Sequence, residues 1–139
     1  MIVLDTNVVS ALMRDGVDPR IRDWFDGQPS LSLWTTAITV FEIRFGLARL
    51  AHGRRLEQLV SAFDLLIGTD LAGRVIEFDQ AAAEEAARLM ASREDVGRSV
   101  DLRDTMIAGI CLARRAPVAT RNVRHFADAG LTVIDPWSR

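Results

Sequence analysis

Met1-Ile2-Val3-Leu4-Asp5-Thr6-Asn7 opens the chain, and its reading decides the fold. Ile2, Val3 and Leu4 are too few to span a membrane and rich in β-formers, and they run straight into an acid followed by two side-chain oxygen donors. The pattern predicts a buried strand that ends in a site. In open α/β sheets the ligand crevice lies outside the carboxyl ends of the strands, so a carboxylate there points at whatever the protein binds. Asp5 is therefore the first candidate for chemistry. The competing reading makes it the cap of the next helix, a role Asp fills well.

Working outward, Val8, Val9, Leu12 and Met13 recur at helical spacing as far as Arg14, and Asp15-Gly16 breaks the run. Asp18-Pro19 caps and opens a short helix through Trp24 and Phe25 to Gly27. Leu31 to Trp34 reads as a second strand. A helix follows to Leu50, with Ile38, Phe41, Phe45 and Ala48 as its apolar stripe. Glu42 lies about 40° round the helix from Ile38 and about 60° from Phe45, at the inner edge of that stripe. A helix from Arg54 to Leu66 completes a helical hairpin. Arg74 to Phe78 reads as a third strand, Asp79 caps an Ala-rich helix to Arg93, and Glu94 to Ser99 reads as a charged loop. Asp101 starts a helix that ends at Arg115. Val118-Ala119 and Leu131 to Ile134 are a fourth and a fifth strand, with a turn of helix between them. Strands alternating with helices imply an α/β fold with a mainly parallel sheet covered on both faces. No linker or repeat interrupts it, so residues 1–139 are expected to form a single domain.

Nearly half the residues (49%) are hydrophobic and 26% are charged, which is the composition of an ordinary soluble globular protein. The net charge of −2 gives no global positive field, so any binding to nucleic acid has to be local. All 17 basic residues are arginine, which excludes a P-loop lysine and lysine-based covalent chemistry. Arginine remains the better bidentate phosphate ligand. Cys111 stands alone and can build neither an internal disulfide nor a zinc framework, in keeping with a reducing cytosol. The apolar start lacks a basic leader and stops at Asp5, so neither a signal peptide nor a membrane anchor is expected and the location is cytoplasmic.

Asp104 is the second informative acid. Ile107, Ala108 and Cys111 follow it at i+3, i+4 and i+7, which puts it on the buried face of its helix. An ionised carboxylate there is costly unless a cation or strong donors meet it. The reading of a merely exposed first-turn acid suits Asp101 better. If Asp5, Glu42 and Asp104 share one crevice, two of them about 4 Å apart repel by about 4 kcal/mol at an effective dielectric near 20. A divalent cation is the natural compensation, and all-oxygen ligation favours Mg²⁺ or Mn²⁺ over zinc. Thr120-Arg121-Asn122 follows another strand and should face the same crevice, with Arg121 holding a phosphate and Asn122 offering the metal a weak amide oxygen. His125 and His52 have nothing at ligand spacing beside them and read as surface or packing residues.

These motifs carry a resemblance. Ile2 to Asn7, Glu42 within Thr39-Val40-Phe41-Glu42-Ile43-Arg44-Phe45-Gly46, Asp104 within Asp104-Thr105-Met106-Ile107-Ala108, and Ala119-Thr120-Arg121-Asn122 resemble, in order, the motifs of PIN-domain ribonucleases. Among these the chain is most similar to the VapC/FitB-like toxins of bacterial type II toxin–antitoxin pairs, down to Val133-Ile134-Asp135-Pro136-Trp137. The resemblance implies a three-layer α/β/α sandwich, usually a homodimer, that cuts RNA with Mg²⁺ or Mn²⁺. It assigns Asp5, Glu42 and Asp104 to the acidic metal site, with Thr6 near it; Thr6, Thr120 and Arg121 are the candidates for contact with the substrate phosphate. It also implies a co-expressed antitoxin whose tail occupies the crevice, and a larger complex with it that binds operator DNA. Two positions depart from the pattern: Asn122 stands where relatives often carry a fourth acid, and His125 where they frequently carry an aspartate. An amide binds a hard cation more weakly than a carboxylate, which bears on a second metal position.

Three other readings compete. A phosphatase of the haloacid-dehalogenase type also places an Asp after its first strand, but needs a second Asp where Asn7 stands. A dinucleotide-binding domain needs a G-x-G that the chain lacks. A non-catalytic RNA- or partner-binding module with a degraded metal site is the rival from another class, and Asn122 motivates it. The arginines at 44, 49, 54 and 55 suit an RNA face, a partner face or a solvated helix surface alike.

Overall fold

The computed structural model describes residues 1–138. Strand β1 (Ile2–Leu4) leads into α1 (Thr6–Met13) and α2 (Pro19–Asp26); β2 (Leu33–Thr36) into α3 (Ala37–Ala48) and α4 (Arg54–Leu65); β3 (Val75–Ile76) into α5 (Gln80–Asp95) and α6 (Leu102–Arg114); and β4 (Val118–Ala119) into α7 (Val123–Phe126) and β5 (Val133–Ile134). The five strands lie in the order β3-β2-β1-β4-β5, every pair parallel. Ile2 stands opposite Leu33, and Val3 opposite both Trp34 and Val118.

The pleat sends alternate residues to opposite faces, and two separate cores result. Leu4, Leu33, Ala119 and Ile134 pack under α1 to α4 with Val8, Ile21, Trp24 and Phe63. Val3, Trp34, Val118 and Val133 pack under α5 and α6 with Ala82, Leu89, Ile107 and Phe126. The expected three-layer α/β/α sandwich is the structure observed. On its second face α5 and α6 touch through Gly109: a Cβ there would stand 2.5 Å from the Ala82 carbonyl oxygen and 2.7 Å from the Ala86 Cβ.

Several local expectations change. The second strand starts two residues later than expected, because Ser30–Ser32 form a turn of 3-10 helix. The third strand shrinks to Val75–Ile76, and α5 continues through Asp95 into what reads as loop. Beyond α4 the chain widens into a π-helical turn, Leu66–Asp70, that buries Leu66. The largest correction concerns α3, whose buried residues are Thr39, Ile43 and Leu47, while Phe41 and Phe45 are 57% and 48% exposed with stacked rings 6.2 Å apart. A helix that is apolar nearly all round has no unique stripe. Buried Thr36 and Thr39 at the sheet edge set its rotation, the Thr36 hydroxyl accepting from the Thr39 amide at 3.1 Å.

Candidate active site

The chain leaves β1 for β2 on one side and later returns through β4 on the other, so the gap between the carboxyl ends of β1 and β4 is the switch point of the sheet. That is where a doubly wound sheet opens its crevice. Asp5 ends β1 there and is only 1% exposed. One carboxylate oxygen accepts from the Thr6 amide at 2.8 Å; the other accepts from the Thr120 hydroxyl at 2.7 Å and the Asn7 amide nitrogen at 3.0 Å. Asp5 therefore caps α1 and faces the crevice at once, so the two readings of it are not exclusive. Burial, with Asp104 and Glu42 nearby, pushes its carboxyl up to about 6 against the hydrogen bonds that favour its charge.

Glu42 enters from α3. The Thr6 hydroxyl donates to it at 2.8 Å and stands 3.0 Å from the Thr39 hydroxyl, and Arg103 lies 3.7 Å from its other oxygen. Burial raises its carboxyl above the ordinary value, opposed by the Thr6 bond and by Arg103. Asp104 enters from the first turn of α6, and one of its oxygens lies 2.6 Å from His125 Nδ1. Asp101, one residue before α6, caps it by accepting from the Arg103 amide at 2.8 Å.

The end of β4 supplies the remaining wall. Thr120 is fully buried, and its hydroxyl, besides donating to Asp5, accepts from the Asn122 amide at 2.9 Å. The Arg121 backbone N–H donates to the Asn7 side-chain oxygen Oδ1 at 3.0 Å, and its guanidinium lies 5.2 Å above the Trp137 ring. Asn7 thus ties both strand ends together, and sequence reading missed it as it missed Arg103. It also missed His125, whose single clue is that it stands one residue before Phe126 where the resemblance has an aspartate. Arg93 is a fourth omission. It is buried, reaching Asp128 at 2.8 Å, the Thr105 hydroxyl at 2.9 Å and the His125 carbonyl at 2.7 Å, and it locks α5, α6 and the α7 segment together.

The site brings together three carboxylates, the chemistry that suits a hard divalent cation, while Asn122 reaches it through its backbone N–H to Thr120 and leaves its side chain exposed. The carboxylates feel one another, yet among the described residues no three His, Cys, Asp or Glu side chains are arranged to hold a metal ion. Each is engaged instead by a neighbour: Asp5 by Thr120 and Asn7, Glu42 by Thr6, Asp104 by His125.

A parallel three-layer sandwich with an acid-floored, arginine-rimmed crevice at its switch point defines the class as an α/β protein of the doubly wound kind. A family model described as PIN domain matches residues 2–130, and the chain belongs to that family. It is 40% identical to the VapC ribonuclease Y4jK of Sinorhizobium fredii, over 99% of this chain and 98% of that one, and 32% identical to the toxin FitB of Neisseria gonorrhoeae, over 99% of each. Among solved structures, FitAB bound to an IR36 DNA fragment superposes with a TM-score of 0.89 at 32% identity, covering 99% of this chain and 96% of that one.

Proposed function

We propose that the protein is a Mg²⁺- or Mn²⁺-dependent endoribonuclease acting as the toxin of a toxin–antitoxin pair in the cytoplasm. The observation that carries the reading is Asp5, a buried carboxylate at the switch point whose proton affinity is raised by burial and by two further acids. The names of the VapC and FitB relatives support the ribonuclease and toxin parts of it. Asp5, Glu42 and Asp104 would hold the cation, with Asn122 as a weaker amide donor. When bound, such an ion polarises a phosphoryl oxygen and acidifies water. The chain's own residues do the positioning. Thr6, Asn7 and Thr120 fix Asp5 in one rotamer, and the Thr6 hydroxyl orients Glu42. Arg103 and Arg121 line the approach as donors for the substrate phosphate.

A groove of about 350 Å³ runs from Glu42 and Thr6 past Met13, Ile43 and Leu59, and supports docking of an antitoxin tail against the acids. The FitAB complex with DNA supports an assembly that binds operator DNA, and the family resemblance supports a homodimer.

The test is cleavage of pooled tRNA and mRNA by purified protein with Mg²⁺ or Mn²⁺. Cleavage is expected to vanish with EDTA and in the Asp5→Ala and Asp104→Ala variants; full activity in either variant overturns the assignment. The engaged carboxylates and Asn122 favour a second reading, a non-catalytic binding module. Calorimetric titration separates the two, since a dead site takes up no Mn²⁺ saturably.

A further inference from the structure

The carboxylates that attract a cation also repel each phosphodiester of an RNA backbone, so positive groups beside them favour holding the strand. Beyond the Asp104–His125 pair the surface opens into a cleft of about 410 Å³ lined by Arg98, Ser99, Val100, Arg124 and His125. The charges there do not cancel. Asp128 is met by both Arg93, at 2.8 Å, and Arg98, at 3.1 Å. Arg98 also donates to the Arg124 carbonyl oxygen, which fixes the loop after α5 against α7. The exposed Arg124 guanidinium has no ion pair or hydrogen bond among the described residues. Two guanidiniums line the cleft: Arg98 shares Asp128 with the buried Arg93, and Arg124 has no partner among the described residues, while the Asp104 carboxylate faces the other side of His125.

We propose that this cleft is a subsite for a backbone phosphodiester of the RNA strand adjoining the scissile position, with Arg124 as the main donor and Arg98 and the Ser99 hydroxyl beside it. The inference rests on the ribonuclease reading. His125 is the shared wall, its Nδ1 side toward Asp104 and the rest of its 44%-exposed ring toward the cleft, so a strand in the subsite passes directly over the acids. Phosphate contacts carry no base information, so the subsite should position RNA without selecting its sequence.

The test is fluorescence anisotropy with the full chain in EDTA and a short fluorescein-labelled single-stranded RNA of mixed sequence, titrated at several salt concentrations. Arg124→Ala should weaken binding about tenfold and lower the slope of log affinity against log salt by about 0.7. Arg124→Lys should keep that slope. Arg114→Ala makes the same charge change at the other end of α6, where Arg114 faces Asp79 at 3.7 Å, and should leave the affinity close to that of the unaltered protein. No RNA binding by the unaltered protein, an Arg124→Ala variant that matches it, or an Arg114→Ala variant weakened as much would each overturn the subsite. Adding Mn²⁺ to the same RNA reads the ribonuclease reading separately: cleavage without an Arg124 effect keeps the enzyme and removes the subsite, and an Arg124 effect without cleavage does the reverse.

Discussion

Asp5 concentrates what single residues contribute here. Its carboxyl is raised from 3.8 to about 6, so the native state holds the proton more tightly than the unfolded chain does. The associated stability is complete below about pH 4 and is lost as pH rises through about 6, amounting to about 3 kcal/mol for a shift of about two units. Urea unfolding from acid to mildly alkaline pH should therefore show the protein losing stability relative to Asp5→Asn over that window. The lost hydrogen bonds of the variant offset its curve equally at every pH, so parallel curves would remove the claim. This carboxylate was legible in the sequence because a β-run ending in an acid has few other readings. His125 was not, since its partner Asp104 lies 21 residues away and only the packing of α7 on α6 brings them together.

At the scale of elements, close packing between α5 and α6 is what holds Asp104 in position. Gly109→Ala puts a methyl group against the backbone of Ala82, where nothing can rotate away, and should destabilise the protein by about 1–3 kcal/mol. Arg93→Met removes the clamp that joins α5, Thr105 and the α7 segment, and should cost about 2–3 kcal/mol, because Asp128 keeps Arg98 as a partner. Thermal or denaturant unfolding reads both changes. Helix starts were readable in advance, since Asp18, Asp79 and Asp101 all cap where the sequence puts them. Helix rotation was less so: α3 offers two apolar stripes, and the one containing Phe41 and Phe45 turned outward because Thr36 and Thr39 tie the other to the sheet. Glu42 still lies at the inner edge, beside Thr39 and Ile43 rather than Phe45.

For the whole molecule, the decisive feature is strand order, which alternation of strands and helices alone does not reveal. A parallel sheet was expected from the pattern, but the reversal that puts β4 beside β1 follows only from the assembled structure, and it is this reversal that brings Thr120 to Asp5. With 19 acids against 17 arginines, the net charge of −2 gives the molecule little general field for ions of either sign, so a specific response to a cation is expected from the crevice, where carboxylates converge. A cation that binds only the native state stabilises it by about 2.7 kcal/mol at a hundredfold excess over its dissociation constant. For a chain of this size that is a rise in Tm of about 8 °C. Differential scanning calorimetry at mildly alkaline pH should show this rise with Mn²⁺, and its loss in Asp5→Ala and in Asp104→Ala. A rise of equal size in both variants would mean that the ion stabilises the protein elsewhere, because each substitution removes from β1's end or α6's first turn a carboxylate that only the folded sheet brings to the crevice.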